Sequence, residues 1–121
     1  MNQMNYQEIN TERQFKSTTG HSKIEFSKLC IDYELAYLEK YGQSYEDYLE
    51  EYVPDRPSLF TLNDWLFFVL FQLKNDLVYD SLGAVFKMNG STANLRFKEY
   101  LSLLEFTLKK KESIPKEILK M

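Results

Sequence analysis

From Leu62 to Leu73 almost every residue is apolar: Leu62, Trp65, Leu66, Phe67, Phe68, Val69, Leu70, Phe71 and Leu73. Such a segment must be surrounded by other elements, because no position on a surface hides apolar side chains on all sides. Thr61 stands where a helix cap belongs, and Asp64 falls in the first turn after it. A helix through about Lys74 is therefore expected. A buried strand over Trp65–Phe71 is the competing reading, since periodicity does not separate the two in so short a run; length and cap favour the helix. That run of seven residues is also the longest apolar stretch, well short of the roughly 20 that cross a bilayer.

The rest of the chain supplies helices to surround it. Thr11 and Gln14 open a short helix through about Ser17, with Phe15 inward, and Gly20 breaks it. Ser22 and Glu25 form an S-x-x-E capping box. Behind it, Phe26, Leu29, Cys30, Tyr33, Tyr37 and Tyr41 recur in steps of three and four, one face of a helix that Gly42 ends. Ser44 and Asp47 begin a short acidic helix bearing Tyr45, Tyr48, Leu49 and Tyr52. Pro54 and Pro57 mark a loop. Tyr79–Phe86 reads as another short helix. A last one runs from about Ser91 to Lys110, with Ala93, Phe97, Tyr100 or Leu101, Leu104 and Leu108 inward. Pro115 prevents its continuation. With only four Gly and three Pro in 121 residues, a turn-rich sandwich or barrel is disfavoured. The expected fold is all-α: a flexible 1–10, then a single small helical bundle over 11–121 with a C-terminal helix-turn-helix at about 79–110.

Charge and chemistry narrow the function classes. Residues 1–60 carry six Lys/Arg against eleven Asp/Glu, a net of −5, while residues 61–121 carry nine against seven, a net of +2. The acid gathers between Asp32 and Glu51 and the basic excess lies after Phe86, an asymmetry compatible with a nucleic-acid face in the second half. One cysteine, Cys30, allows no internal disulfide, and the polar Met1–Asn10 lacks the basic-then-apolar order of a secretory signal; a cytoplasmic setting is expected. One histidine, His21, and one cysteine make no metal-ligand cluster, and no phosphate loop, dinucleotide fingerprint or nucleophile elbow is present. Cys30 on an apolar helix face reads as an inert core thiol. Neither enzyme activity nor a cofactor is expected.

The span Tyr79–Lys110 carries the functional argument. A short helix, a tight turn and a longer helix is the pattern of a helix-turn-helix. Close crossing asks for a small residue in the first helix, and Gly83 fits. Phe86 precedes the turn, Met88 plugs it, Asn89 or Ser91 can cap the second helix, and Ala93 is the small inward residue one turn in. The outer face near the start of the second helix is expected to meet base edges. The candidate DNA contacts are Lys87, Ser91, Thr92, Asn94, Arg96 and Lys98, with Gly90 on the same face and Lys109–Lys111 as further phosphate contacts.

Three stretches resemble the N-terminal region of bacterial DDE-type insertion-sequence transposases: Leu62-Asn63-Asp64-Trp65-Leu66-Phe67-Phe68-Val69-Leu70-Phe71-Gln72-Leu73-Lys74, Tyr79-Asp80-Ser81-Leu82-Gly83-Ala84-Val85-Phe86, and Ser91-Thr92-Ala93-Asn94. Glu12–Lys16, Thr19-Gly20, Leu103-Leu104-Glu105 and Ile114-Pro115 extend the resemblance over about residues 12–118. It implies recognition of terminal inverted repeats in double-stranded DNA. It also implies a catalytic RNase H-like, Mg²⁺-binding domain in full-length relatives, without counterpart here. The chain departs from the pattern at Lys87, where relatives have glycine, and at Leu95-Arg96, where they have Arg-Trp. On this resemblance it is a first frame of a split transposase, a truncated remnant or a recruited domain, with a catalytic transposase chain or a second copy as protein partner. The alternative is a non-enzymatic helical protein-interaction module.

Overall fold

A computed structural model describes residues 4–52 and 61–112. They form six α-helices and, among the described residues, no strand: α1 (Glu12–Thr19), α2 (Lys23–Tyr41), α3 (Tyr45–Tyr52), α4 (Leu62–Asn75), α5 (Tyr79–Phe86) and α6 (Gly90–Glu112). The loop at Pro54 and Pro57 and the stop at Pro115 lie outside the described residues.

Local signals set the boundaries. The Thr11 hydroxyl accepts the Gln14 N–H, and full capping boxes form at Ser22/Glu25 and at Thr61/Asp64. Gly20 and Gly42 close α1 and α2 in the left-handed conformation, at φ 81° and 79°. The competing strand at Trp65–Phe71 is not formed, because the Thr61 cap opens a helix whose buried residues fill α4 from Leu62 to Gln72.

α4 is the centre of the bundle. Trp65 stacks on Tyr100 of α6, with ring centroids 4.2 Å apart, and meets Tyr37 of α2 and Tyr45 of α3 edge-on. Phe67, Phe68 and Phe71 gather around Phe86 of α5. Buried Gln72 is satisfied in both directions: its amide donates to Leu77 O and accepts from Leu77 N–H. That pair of bonds, with Asp76 in the left-handed conformation, fixes the corner from which α5 leaves.

α2 packs against α6. Asp32 and Glu39, two turns apart on α2, both reach the end of α6, at Lys111 (3.0 Å) and Lys110. Tyr33 and Lys40, also two turns apart, instead reach Tyr100 O (2.9 Å) and the Ser102 hydroxyl (2.7 Å). Ala36, fully buried, sits between the two sets. The inner stripe of α6 therefore differs from the expected one past Leu104. Thr107 is buried and Leu108 is 43% exposed, and the Thr107 hydroxyl is satisfied within the helix by donating to Leu103 O. On α2, Tyr41 is exposed, with its ring packed on Tyr37.

Ahead of α1, where the sequence reads as flexible, Tyr6 packs on Phe26 and Phe67 and Met4 N–H donates to Val85 O. The polar composition of this stretch conceals its two apolar anchors.

Burial raises the hydroxyl pKa of Tyr33, Tyr37 and Tyr100 above the usual tyrosine range, Tyr37 to about 12 and the other two further. The folded state thus favours the neutral phenol. Its contribution is intact below the unfolded value of about 10 and is lost as pH rises from there through about 12. Thermal melts are expected to fall steeply over that interval, with tyrosine ionisation seen by ultraviolet absorbance occurring together with unfolding. A melting temperature flat up to pH 12 would contradict the burial of these rings.

Candidate functional site

The candidate site is built on the α5–α6 pair. Three residues, Lys87, Met88 and Asn89, join the two helices. Gly83 lies against this link so closely that a Cβ added there would sit 2.3 Å from Met88 O and 3.1 Å from the Asn89 carbonyl. Met88 N–H in turn donates to Gly83 O. Lys87 takes the left-handed conformation, at φ 57° and ψ 51°, which is the backbone that favours glycine. Asn89 is the cap of α6, its Oδ1 accepting the Thr92 N–H at 2.7 Å. Asp80, in the first turn of α5, lies against Gly90: its Oδ1 would be 2.0 Å from a Cβ there. A carboxylate at that place complements the positive ends of both helices.

Successive residues of a helix are about 100° apart, so the inward positions Ala93, Tyr100, Leu103, Leu104 and Thr107 define the outward ones. Ser91 and Lys98 are exposed on the outer face, and Lys87 is exposed at the turn. Thr92 is half-buried, with its N–H engaged by Asn89. Asn94 is half-buried on the other edge, and its Oδ1 is buried without a hydrogen-bond partner among the described residues. Arg96 is half-buried on the inner side of the helix, where its positive charge lies near the Tyr100 hydroxyl. Burial raises the Tyr100 pKa against the pull of this positive charge. The six candidates therefore do not form one surface: Lys87, Ser91 and Lys98 face solvent, Asn94 and Thr92 border them, and Arg96 turns toward the core.

Leu95 occupies the outward position between Ser91 and Lys98 and is 69% exposed. Apolar periodicity passes over it, since it is out of step with the inner stripe; that mismatch is the sequence signal for it. Lys110 and Lys111 are engaged by Glu39 and Asp32 of α2. Lys111 also lies about 30 Å along α6 from Ser91, at 1.5 Å per residue, too far to serve the same contact face.

Cys30 is buried, and burial raises its thiol pKa to about 12, so the reactive thiolate is suppressed. Among the described residues no group of three His, Cys, Asp or Glu side chains is placed to hold a metal ion, and no helix is long and apolar enough to cross a membrane. Comparison with protein-family models, with curated protein sequences and with solved structures found no match to this chain.

Proposed function

We propose that this chain is the DNA-binding part of a transposase, with α5 and α6 acting as a helix-turn-helix that recognises terminal inverted repeats and with no catalytic role of its own. The observation that carries the reading is the contact of Gly83 with the Met88 carbonyl. It locks a three-residue turn between a short helix and a long one, which is the rigidity a recognition helix needs to enter a major groove. Lys87 in the left-handed turn position agrees with the glycine that the resembled family carries there. The buried Asn94 oxygen, without a hydrogen-bond partner among the described residues, also supports it. An unsatisfied buried acceptor is unfavourable by about 1–3 kcal/mol, so a rotation that brings the Asn94 amide onto an adenine edge is favoured rather than opposed.

The affinity on this reading is modest. Net charge is −3, and two cations, Lys87 and Lys98, flank the contact face, with Arg96 able to add a third only by turning out from the inner side of the helix. Each phosphate contact contributes about −0.9 to the slope of log affinity against log salt, so a slope of about −2 to −3 is expected. Lys87→Ala and Lys98→Ala should each flatten it by about one unit. Titration of duplexes carrying the ends of the neighbouring mobile element, at several salt concentrations, measures this. Folded protein that binds no duplex even at low salt would overturn it.

In that event a second reading, a protein-interaction module, rests on α2. Ile24, Ile31, Leu35 and Leu38 are all exposed and fall, at about 100° per residue, on one stripe opposite the buried face. The stripe is about 21 Å long, and four side chains fall short of the roughly 800 Å² per partner of a standard interface. It therefore suits a single amphipathic helix of another protein rather than a second copy. Asp32 and Glu39 on one edge are already paired with Lys111 and Lys110, which leaves Glu25 on that edge and Glu34 on the other to favour Lys or Arg on that helix.

A further inference from the structure

We infer that Leu95 is a specificity-determining residue that reads the C5-methyl group of a thymine. The inference rests on the DNA-binding reading of α6. Leu95 is 69% exposed and lies at the middle of the outward face of the first two turns of α6, between Ser91, Asn94 and Lys98. Isolated exposed leucines are ordinary on protein surfaces, so exposure alone decides nothing. Position does. On the reading above, this point of α6 is the one that enters deepest into the groove. The groups displayed on the major-groove floor are hydrogen-bond donors and acceptors, apart from the thymine methyl and the much smaller cytosine C5–H, and only the methyl offers apolar surface of any size. A leucine set against any other base edge would desolvate a polar group without pairing it, which is unfavourable. Against a T·A pair it buries apolar surface on both sides.

The neighbours fit this division of labour. Ser91 has a short hydroxyl that leaves room for the branched leucine beside it. Lys98, one turn further along and exposed, is placed for phosphate rather than base. Glu99, four residues on from Leu95, is exposed beside it and is also close enough to α2 to raise the pKa of Tyr33, Tyr37 and Tyr41. The face around Leu95 is thus apolar at its centre, with Ser91, Asn94, Lys98 and Glu99 at its edges. The ligand class it selects is duplex DNA with a 5-methylpyrimidine at one fixed position.

The test uses the full chain. Random-sequence duplexes retained at low salt define a preferred site, and each thymine of that site is then replaced singly by deoxyuridine, which lacks only the methyl group. Burying one methyl is worth about 4-fold in an equilibrium. At one position the uracil duplex should bind about 4-fold more weakly, and at the others unchanged. Leu95→Ala, folded by circular dichroism, should bind the thymine duplex about 4-fold more weakly than the parent and be indifferent to uracil at that same position. Binding that is insensitive to uracil everywhere, a preferred site without thymine, or an equal uracil loss in Leu95→Ala overturns the inference while leaving DNA binding in place. Failure to retain any duplex overturns the DNA-binding reading and this inference together.

Discussion

Gly83→Ala is expected to destabilise the fold by about 3 kcal/mol, the upper end of what overpacking does. The sign is the informative part. In an ordinary helix interior, alanine is more stable than glycine by roughly 0.5–1 kcal/mol. Here the added Cβ would stand 2.3 Å from the Met88 carbonyl oxygen. That atom is backbone, held by the turn itself, with Met88 N–H bonded to Gly83 O, so it cannot swing aside as a side chain would. Relief requires α5 and the link to α6 to separate, which also draws Phe86 away from Phe67, Phe68 and Phe71. Urea denaturation checks this: the midpoint should fall while the slope stays constant. A midpoint that rises instead would mean that α5 and the turn do not touch in solution, and the rigidity on which the DNA-binding reading depends would be absent.

Trp65→Ala and Phe68→Ala should each reduce stability by about 3–5 kcal/mol, the usual range for removing a large aromatic side chain from a core. Trp65 joins three helices at once, stacked on Tyr100 and edge-on to Tyr37 and Tyr45. Phe68 is fully buried between Phe86 and Tyr100. Neither void can close, because each ring is flanked by elements already fixed by other contacts. Total stability of a domain is commonly about 5–15 kcal/mol, so either variant is expected to be partly unfolded near body temperature. Near-ultraviolet circular dichroism and denaturant midpoints measure this. A loss under about 1 kcal/mol for either would show that α4 is not the centre of the bundle. Leu73→Ala, on an exposed position of the same helix, serves as the comparison and should change little.

The helix boundaries were legible along the chain because the interactions that set them are local. A cap hydroxyl meets an N–H three residues on, and a closing glycine meets a carbonyl four residues back; Ser22, Thr61, Gly20 and Gly42 carry those signals. The same holds for the centrality of α4, since a segment apolar on all sides has no surface orientation. Gly83 could be singled out because the pattern of two helices and a short turn demands a small residue there. Side-chain direction past the first contact was not legible. Thr107 is buried in place of Leu108 because α2 packs against α6 on that side, and no periodicity within α6 records that contact. Arg96 was grouped with the outward residues by its charge, yet its place in the helical turn sets it half-buried on the inner side, near Tyr100. Leu95 was left facing out for the complementary reason: every inward position nearby was already filled by Ala93, Phe97 and Tyr100. Sequence determined where each helix begins, ends and must be hidden, because those terms act within four residues; only the packing of α2, α4 and α6 against one another decided which face of the last helix is free, because that choice depends on residues as far apart as Asp32 and Lys111.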